Sequence, residues 1–252
     1  MNFSDKVVFV TGASRGIGKA IAVQFARAGA QVALSYRSNE GAARATLEQL
    51  AGSGHRLYQG DIAEPRACEE QVSAAVQDFG RVDILINNAG IFEAHPVDSV
   101  DFSQWQEAWR STLATNLEAP ANLCYLFAQH MIAQGGGRIV NISSRGAFRG
   151  EPECPAYGAS KAGLNALSQS LALKLAPYNI YVGVVAPGFV ETDMAFEHLK
   201  GARGEALRAQ SPLGRVAKPE EVAHAALFLA SEGAEFSTGT ILDVNGASYL
   251  RS

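Results

Sequence analysis

The chain alternates between short apolar segments and longer segments in which apolar residues recur every three or four positions. Short continuous apolar segments are typical of strands that are buried on both faces, and the longer periodic segments are typical of amphipathic helices. The predicted strands are 7–10, 32–36, 56–59, 82–87, 138–142, 180–185 and 240–244. The predicted helices are 17–28, 41–50, 65–79, 102–134, 156–176 and 220–230.

This alternation of strands and helices decides the fold class. Strand, helix and strand joined by short connections predict parallel pairing with right-handed crossovers. We therefore predict a single α/β domain over residues 1–252, doubly wound, with a parallel seven-stranded sheet and helices on both faces. The sequence shows no linker, low-complexity segment or short-period repeat. Ligands of such sheets bind at the carboxyl ends of the strands.

Composition and charge narrow the partners. The chain has 252 residues, of which 47% are hydrophobic, and a net charge of −4 without a basic stripe, so we expect no nucleic-acid partner. No apolar segment is long enough to predict a membrane span, and the first residues do not form a secretory signal. The three cysteines form no Cys-x-x-Cys motif. We expect a reduced, cytoplasmic protein without a metal site.

A glycine-rich segment, Thr11-Gly12-Ala13-Ser14-Arg15-Gly16-Ile17-Gly18, directly follows the first strand. A tight turn before a helix directs N–H groups and the positive end of the helix dipole at a bound anion. Its spacing, Gly-x-x-x-Gly-x-Gly, differs from the ordinary dinucleotide fingerprint. We predict pyrophosphate contacts from Gly12, Ser14, Arg15, Gly16, Ile17 and Gly18. The alternative is an ordinary glycine-rich turn.

The end of the second strand predicts which nicotinamide cofactor binds. NAD sites usually place an acidic residue there, on the ribose 2′-hydroxyl. This chain instead has Tyr36-Arg37-Ser38, and Arg15 in the glycine turn faces the same side. Arginine binds phosphate in bidentate fashion, so we predict a 2′-phosphate site and NADPH (NADP⁺) as the cofactor. The alternative is that Arg37 is a solvated loop charge.

Further motifs follow along the chain in a fixed order. They are Asp61, Asn87-Asn88-Ala89-Gly90, Asn116, Ser144, Tyr157-x-x-x-Lys161, Pro187-Gly188 and Thr192. With the glycine turn, this set resembles the short-chain dehydrogenase/reductase family over essentially the whole chain, and within it the bacterial 3-oxoacyl-carrier-protein reductases. The resemblance implies a Rossmann-type fold and an NAD(P)-dependent reaction between a ketone and a secondary alcohol.

The resemblance also implies where the rest of the cofactor binds. Asp61 and Ile62 would contact the adenine, and Asn88, Ala89 and Gly90 would brace the strand beside the cofactor. Pro187, Gly188, Val190 and Thr192 would hold the nicotinamide end, together with Tyr157 and Lys161. Asp61 has an alternative role as a helix cap, and the asparagines have one as partners of backbone groups at a strand end.

Tyr157 is the predicted general acid. A free tyrosine has a pKa of about 10, and a nearby cation lowers it. Lys161 lies one helical turn further on the same face and supplies that cation. Ser144 would orient the substrate oxygen, with Ser143 as its rival, and the resemblance implies that Asn116 connects Lys161 to solvent. The alternative for Tyr157 and Lys161 is an exposed pair on an amphipathic helix.

The substrate is left open between two classes. A 3-oxoacyl thioester is one, but a carrier-protein reductase is expected to present basic docking residues, and only Arg138 and Lys174 stand near the expected place. A small free carbonyl, sugar or alcohol is the alternative, and a non-catalytic dinucleotide sensor is a remote one. The resemblance further implies a homotetramer, built on helices 102–134 and 156–176, and a substrate lid at about 189–213.

Overall fold

The computed structural model describes residues 1–192 and 201–251, which contain one seven-stranded, all-parallel sheet. The strands are β1 (Val7–Val10), β2 (Gln31–Tyr36), β3 (Arg56–Gln59), β4 (Ile84–Asn87), β5 (Gly137–Ile142), β6 (Ile180–Pro187) and β7 (Ile241–Val244). Their order in the sheet is β3-β2-β1-β4-β5-β6-β7. This confirms the predicted doubly wound, Rossmann-type α/β fold.

The strand order reverses between β1 and β4. β1 pairs with β2 on one side and with β4 on the other, so the chain leaves β1 and β4 in opposite directions across the sheet. Such a reversal opens a crevice at the carboxyl ends of the strands, where ligands of this fold class bind.

Helices cover both faces of the sheet. They are α1 (Gly16–Arg27), α2 (Glu40–Leu47), α3 (Pro65–Phe79), α4 (Phe102–Leu113), α5 (Ala119–Gln134), α6 (Gly146–Arg149), α7 (Pro155–Leu175), α8 (Gly201–Ala209) and α9 (Pro219–Ala230). Short 3₁₀ turns follow at Ala176–Tyr178 and Glu235–Ser237. The small helix α6 was not predicted, because one turn carries no hydrophobic period.

The predicted helix 102–134 is not continuous. A π turn at Ala114–Glu118 separates α4 from α5. Pro120 has no N–H group, so it cannot donate to the carbonyl of Asn116 four residues earlier, as an α-helix requires. The helix widens at this point, and π turns are frequent at functional sites.

Alternate residues of the strands supply two separate cores. Val8 and Val10 of β1 pack on one face with Phe25 of α1 and the buried side of α9. Val7 and Phe9 point to the other face, where they share a core with residues of α3, α5 and α7, and the Phe9 ring lies 4.9 Å from the Phe127 ring. Both faces of the strand are therefore buried, which explains its unbroken apolar sequence.

None of the helices in the part of the chain that the structure describes is long and apolar enough to cross a membrane. No group of three or more His, Cys, Asp or Glu side chains in residues 1–192 and 201–251 is placed to hold a metal ion. The three cysteines are buried and form no disulfide with one another. The expected lid lies partly outside the described residues, and its later part forms α8.

Candidate active site

A cleft of about 530 Å³ opens at the carboxyl ends of the strands. It brings together every predicted site residue except Gly18 and Asn116. Those that line it are Gly12, Ser14, Arg15, Gly16, Ile17, Tyr36, Arg37, Ser38, Asp61, Ile62, Asn88, Ala89, Gly90, Ser144, Tyr157, Lys161, Pro187, Gly188, Val190 and Thr192.

The glycine turn is shaped by its main chain. Gly12 and Gly16 have φ values of +62° and +55°, which favour glycine. A Cβ on Gly18 would lie 2.3 Å from the Gly12 carbonyl oxygen, so Gly18 supports the turn from behind instead of lining the cleft. α1 begins at Gly16, and the side chain of Arg15 does not cap it. The free N–H groups and the open cleft fit a pyrophosphate.

Asn88 and Thr11 join the loops after β1 and β4. The Thr11 Oγ1 accepts the N–H groups of Asn88 at 2.9 Å and of Ala89 at 3.0 Å. The Asn88 amide donates to the Thr11 carbonyl oxygen at 2.9 Å. Asn87 instead points into the protein, where its amide donates to the Asn141 Oδ1 at 2.8 Å. Asn88 thus braces the glycine turn, and Asn87 pairs buried polar groups.

Arg37 and Asp61 lie together at the cleft beyond β2 and β3. An Arg37 Nη1 is 3.9 Å from Asp61 Oδ2, and both side chains are largely exposed. Asp61 Oδ1 also accepts the Ala63 N–H at 3.0 Å, which stabilises the turn before α3. Asp61 is not the cap of α3, because the helix begins at Pro65 and Asp61 lies outside its first turn.

The Tyr157 region of the cleft consists of Phe92, Ser144, Tyr157 and Lys161. Tyr157 and Lys161 lie on the same side of α7, with the Lys161 Nζ 5.8 Å from the Tyr157 ring centre. The Nζ donates to the Ile142 carbonyl oxygen at 2.8 Å. The Phe92 ring meets the Tyr157 ring edge-on at 4.8 Å. These contacts fix both side chains at the carboxyl end of β5.

The two serines after β5 differ in orientation. The Ser143 hydroxyl is buried and donates to the Lys161 carbonyl oxygen at 3.3 Å. The Ser144 Oγ accepts the Gly146 N–H at 3.0 Å, and Ser144 lines the cleft, where its hydroxyl forms a hydrogen bond with Tyr157. The geometry favours Ser144 over Ser143 as the serine beside Tyr157.

Asn116 lies behind the cleft wall in the π turn. Its side chain is fully buried, accepts the Ile91 N–H at 2.8 Å, and donates to the Ile91 carbonyl oxygen at 3.0 Å. Its Nδ2 also reaches the Ser160 Oγ at 3.3 Å. A Cβ on Gly90 would lie 3.2 Å from the Asn116 Oδ1 and 3.5 Å from the Lys161 Nζ. Because Gly90 has no side chain, the space beside it is left open, and both Asn116 and Lys161 border that space.

Comparison with known proteins identifies the family to which the chain belongs. A family model described as enoyl-(acyl carrier protein) reductase matches residues 12–247. The 3-oxoacyl-[acyl-carrier-protein] reductase FabG of Escherichia coli is 39% identical over 250 residues, covering 99% of this chain and 100% of that protein. The chain belongs to the short-chain dehydrogenase/reductase family.

Other relatives extend the family assignment to different substrates. D-threitol dehydrogenase of Mycolicibacterium smegmatis is 37% identical, over 98% of this chain and 94% of that protein. A solved dehydrogenase/reductase from Sinorhizobium meliloti superposes with a TM-score of 0.90 at 33% identity, over 99% of this chain and 97% of its own. This short-chain dehydrogenase/reductase is therefore an NAD(P)-dependent oxidoreductase acting on CH–OH and C=O groups.

Burial sets the proton affinities of the Tyr157 region. Burial raises the pKa of Tyr157 to about 12, opposed by the hydrogen bond from Ser144 and reinforced by Glu151 and Cys154. Burial lowers the pKa of Lys161 to about 8. The pKa of Tyr157 is therefore raised and not lowered as the sequence predicted, because burial of the phenol is the largest cause of the shift.

Sequence reasoning missed two charged residues of the cleft. Arg145 and Glu151 both line it near Tyr157. Neither lies in a recognisable motif; Arg145 merely follows Ser144. Burial raises the pKa of Glu151, and the arginines at 145 and 149 oppose this. A charged residue directly after the predicted substrate serine was the one available signal.

Proposed function

We propose that the protein is an NADPH-dependent ketoreductase that interconverts a ketone and a secondary alcohol. The observation that supports this best is the common cleft of the glycine turn, Ser144, Tyr157 and Lys161. When bound, the nicotinamide supplies or accepts the hydride, and the protein supplies orientation and a proton.

Tyr157 is the proposed proton donor in the direction of reduction. Negative charge develops on the carbonyl oxygen as the ketone is reduced, so a donor must be positioned there in advance. The Ser144 hydroxyl holds this oxygen, and the Tyr157 hydroxyl transfers its proton to it. The raised pKa of Tyr157 keeps the phenol protonated at neutral pH, which suits the role of acid.

Lys161 and Asn116 restore the proton in our proposal. The Lys161 ammonium, one turn from Tyr157, stabilises the phenolate left after proton transfer. Asn116 and the Lys161 Nζ border the same space beside Gly90, where a water would link Lys161 to solvent. Asn116 acts through Lys161 and is therefore a positioning residue.

The preference for NADPH rests on charge at the far part of the cleft. Arg15, Arg37 and Ser38 line it together, and Arg37 has a single long ion pair with Asp61. An exposed pair of this length is weak, so the guanidinium is available to a 2′-phosphate. Ser14, Tyr36, Ile62, Ala89, Pro187, Gly188, Val190 and Thr192 would complete the cofactor contacts.

For the substrate we weigh a 3-oxoacyl thioester against a small free carbonyl, sugar or alcohol. Arg138 donates to Glu235 at 2.7 Å, stacks on Tyr181 at 4.5 Å, and its side chain is only 16% exposed. It is therefore poorly placed to dock an acidic carrier protein, which needs exposed basic residues. This observation favours the small carbonyl.

The assembly and location that we propose follow the family. Large apolar side chains are exposed on the helices expected at subunit contacts, among them Tyr125 of α5 and Leu173 of α7. Their burial between subunits supports a homotetramer, which light scattering of the purified protein tests. We also propose a cytoplasmic protein with one catalytic domain and a substrate lid at about 189–213.

The experiment that tests the function is an NADPH oxidation assay across a carbonyl panel. Acetoacetyl thioesters, short 3-oxo esters, diketones, aldehydes and sugars are compared, each with NADPH and NADH. Turnover of thioesters supports a 3-oxoacyl-thioester reductase. Turnover of small carbonyls alone supports an enzyme of small free carbonyls, sugars or alcohols. Tight NADPH binding without any turnover would contradict the enzyme and leave a dinucleotide sensor.

A further inference from the structure

A buried arginine lies next to the proposed substrate serine. Arg145 is 3% exposed, and its main-chain N–H donates to the Pro187 carbonyl oxygen at 2.8 Å. It lines the main cleft together with Ser144 and Tyr157, and it also lines a second pocket of about 230 Å³. Arg145 therefore borders both the space beside Tyr157 and the second pocket, where its guanidinium contacts Ser248 and Phe189.

The guanidinium of Arg145 is held by neutral groups. Its Nη1 donates to the Ser248 hydroxyl, and its Nη2 donates to the Gln210 Oε1 at 2.6 Å. It stacks on the Phe189 ring at 5.0 Å. Within residues 1–192 and 201–251, no carboxylate lies at ion-pair distance from it. A guanidinium has five N–H groups, so these two hydrogen bonds leave the Nε–H and one N–H on each Nη for a ligand.

The surrounding charges leave this cation uncompensated. Burial, and then Arg149, lower the pKa of Arg145 to about 10, so it remains charged at neutral pH. Glu151 is the acidic group whose field reaches it, but burial raises the pKa of Glu151 and so weakens its charge. A buried charge without a direct counter-ion is costly, and an anion bound beside it would relieve that cost.

We propose that Arg145 binds an anionic group, a carboxylate or a phosphate, on the substrate whose carbonyl oxygen Tyr157 protonates. The inference rests on the proposed ketoreductase function and deepens it. The guanidinium matches the two oxygens of either group in a bidentate pair. The substrate class is then a small oxo acid or a phosphorylated ketone. A pocket without a positive charge would bind either compound poorly, because its anionic group would have no counter-ion.

The rival explanation is that Arg145 only joins three segments of the chain. Its bonds connect the end of β5 to Gln210, after α8, and to Ser248, after β7. A purely structural arginine affects folding and the turnover of all substrates alike. A binding arginine changes the ratio between charged and neutral substrates, so this ratio is the decisive measurement.

The experiment compares kcat/KM with NADPH for two matched pairs of ketones. One pair is 3-oxobutanoate and its methyl ester, and the other is dihydroxyacetone phosphate and dihydroxyacetone. We expect the wild type to prefer the charged member of one pair at least about tenfold. The pair that shows this preference distinguishes a carboxylate from a phosphate. Arg145→Gln should bring the ratio close to one.

Arg149→Gln is the matched control. Arg149 is also an arginine beside the cleft and donates to the same Gln210 Oε1 at 3.3 Å, but it is exposed and lines neither pocket. It should keep the wild-type ratio. Arg145→Lys keeps the positive charge but loses the bidentate geometry of the guanidinium, so it should keep part of the preference for the charged ketone. This variant replaces Arg145→Gln if Arg145→Gln does not fold.

Equal kcat/KM for charged and neutral ketones in the wild type would overturn the inference. An Arg145→Gln variant with an unchanged ratio of kcat/KM between charged and neutral ketones would also overturn it. So would a complete loss of that charge preference in Arg149→Gln. Turnover of the neutral compounds without a charge preference would leave the ketoreductase function standing. No turnover of any of the four compounds would also overturn the inference, whereas turnover of other members of the carbonyl panel would leave the ketoreductase function standing.

Discussion

The His95 Nε2 accepts the main-chain N–H of Ala156 at 3.1 Å, one residue before Tyr157. Its Nδ1 lies 2.8 Å from the Glu93 carbonyl oxygen, and since Nε2 accepts, Nδ1 must carry the proton. The imidazole is 1% exposed and packs edge-on against Trp105. The first N–H groups of a helix have no partner within the helix, so His95 caps α7 where it presents Tyr157.

We expect His95→Phe to lower kcat about tenfold, because a small displacement of a proton donor is costly to catalysis. The KM for NADPH should change little, since His95 does not line the cleft that contains the glycine turn. His95→Gln can accept the same N–H through its amide oxygen and should recover part of kcat. Steady-state kinetics of the three proteins test this, and equal kcat in His95→Phe and the wild type would contradict it.

Tyr157→Phe removes only the phenolic hydroxyl. Turnover should fall by at least about a hundredfold, in keeping with the loss of a general acid. NADPH binding, followed by cofactor fluorescence, should remain within a few-fold of the wild type. Tyr178→Phe is the matched control, because Tyr178 is exposed in the 3₁₀ turn after α7. Substantial turnover by Tyr157→Phe would remove this residue from the mechanism.

The pH dependence of reduction should follow Lys161. Its pKa is lowered to about 8 by burial, so the ammonium is present below that pH and is lost as the pH rises through it. Tyr157 stays protonated over the same interval, because its pKa is raised to about 12. We therefore expect kcat/KM for reduction to fall above about pH 8.

Lys161→Arg provides the control for that assignment. A guanidinium does not titrate in this interval, so any remaining activity should lose the alkaline decline seen in the wild type. A wild-type profile that stays flat up to pH 9.5, measured at saturating cofactor, would show that the charge of Lys161 does not govern proton transfer.

Arg37→Ala should lower the preference for NADPH. The ratio of kcat/KM for NADPH to that for NADH should fall about tenfold, because a charge-assisted phosphate contact is lost and the NADH reaction is largely spared. Arg44→Ala is the control: Arg44 is exposed on α2 and pairs with Glu40, away from the cleft. An unchanged ratio in Arg37→Ala would mean that Arg37 is a solvated loop charge.

Gly18→Ala tests the backbone of the glycine turn. The new Cβ would meet the Gly12 carbonyl oxygen at 2.3 Å, so the turn must shift and NADPH affinity should drop by at least about tenfold. Gly41→Ala is the control. Gly41 lies in α2, and the nearest atom to a Cβ added there, the Asn39 Oδ1, would be 3.7 Å away. That change should stabilise the protein by about 0.5–1 kcal/mol in chemical denaturation. Unimpaired NADPH binding by Gly18→Ala would contradict the close packing.

The sequence predicted the central strands closely because strands such as β1 and β4 are buried on both faces. Two strands differ most from the prediction: β6 ends at Pro187, two residues later than predicted, and β4 begins at Ile84, two residues later than predicted. The Asp83 side chain accepts the Val7 N–H at 2.9 Å, and its main chain pairs with Arg138. The apolar pattern alone therefore predicted a start of β4 that lies too early in the chain. The helix boundary at Asn116 was missed because a π turn keeps the hydrophobic period on either side.

The site was predictable where it depends on local motifs and unpredictable where it depends on packing. Gly12, Gly16 and Tyr157 belong to spacings with a direct physical reason, and the structure places all three in one cleft. Arg145 and His95 carry no such spacing. Their positions follow from contacts with residues about 60 to 100 places away in sequence, which only the folded chain brings together.

The order of the sheet separates two kinds of recognition. The residues proposed to distinguish one dinucleotide from another follow β1, β2 and β3, whereas Ser144, Arg145 and Tyr157 follow β5 on the other side of the reversal. Changes in one group need not repack the other. A lineage with this architecture is free to exchange its electron carrier or its substrate in separate steps of evolution, and an engineer can do the same.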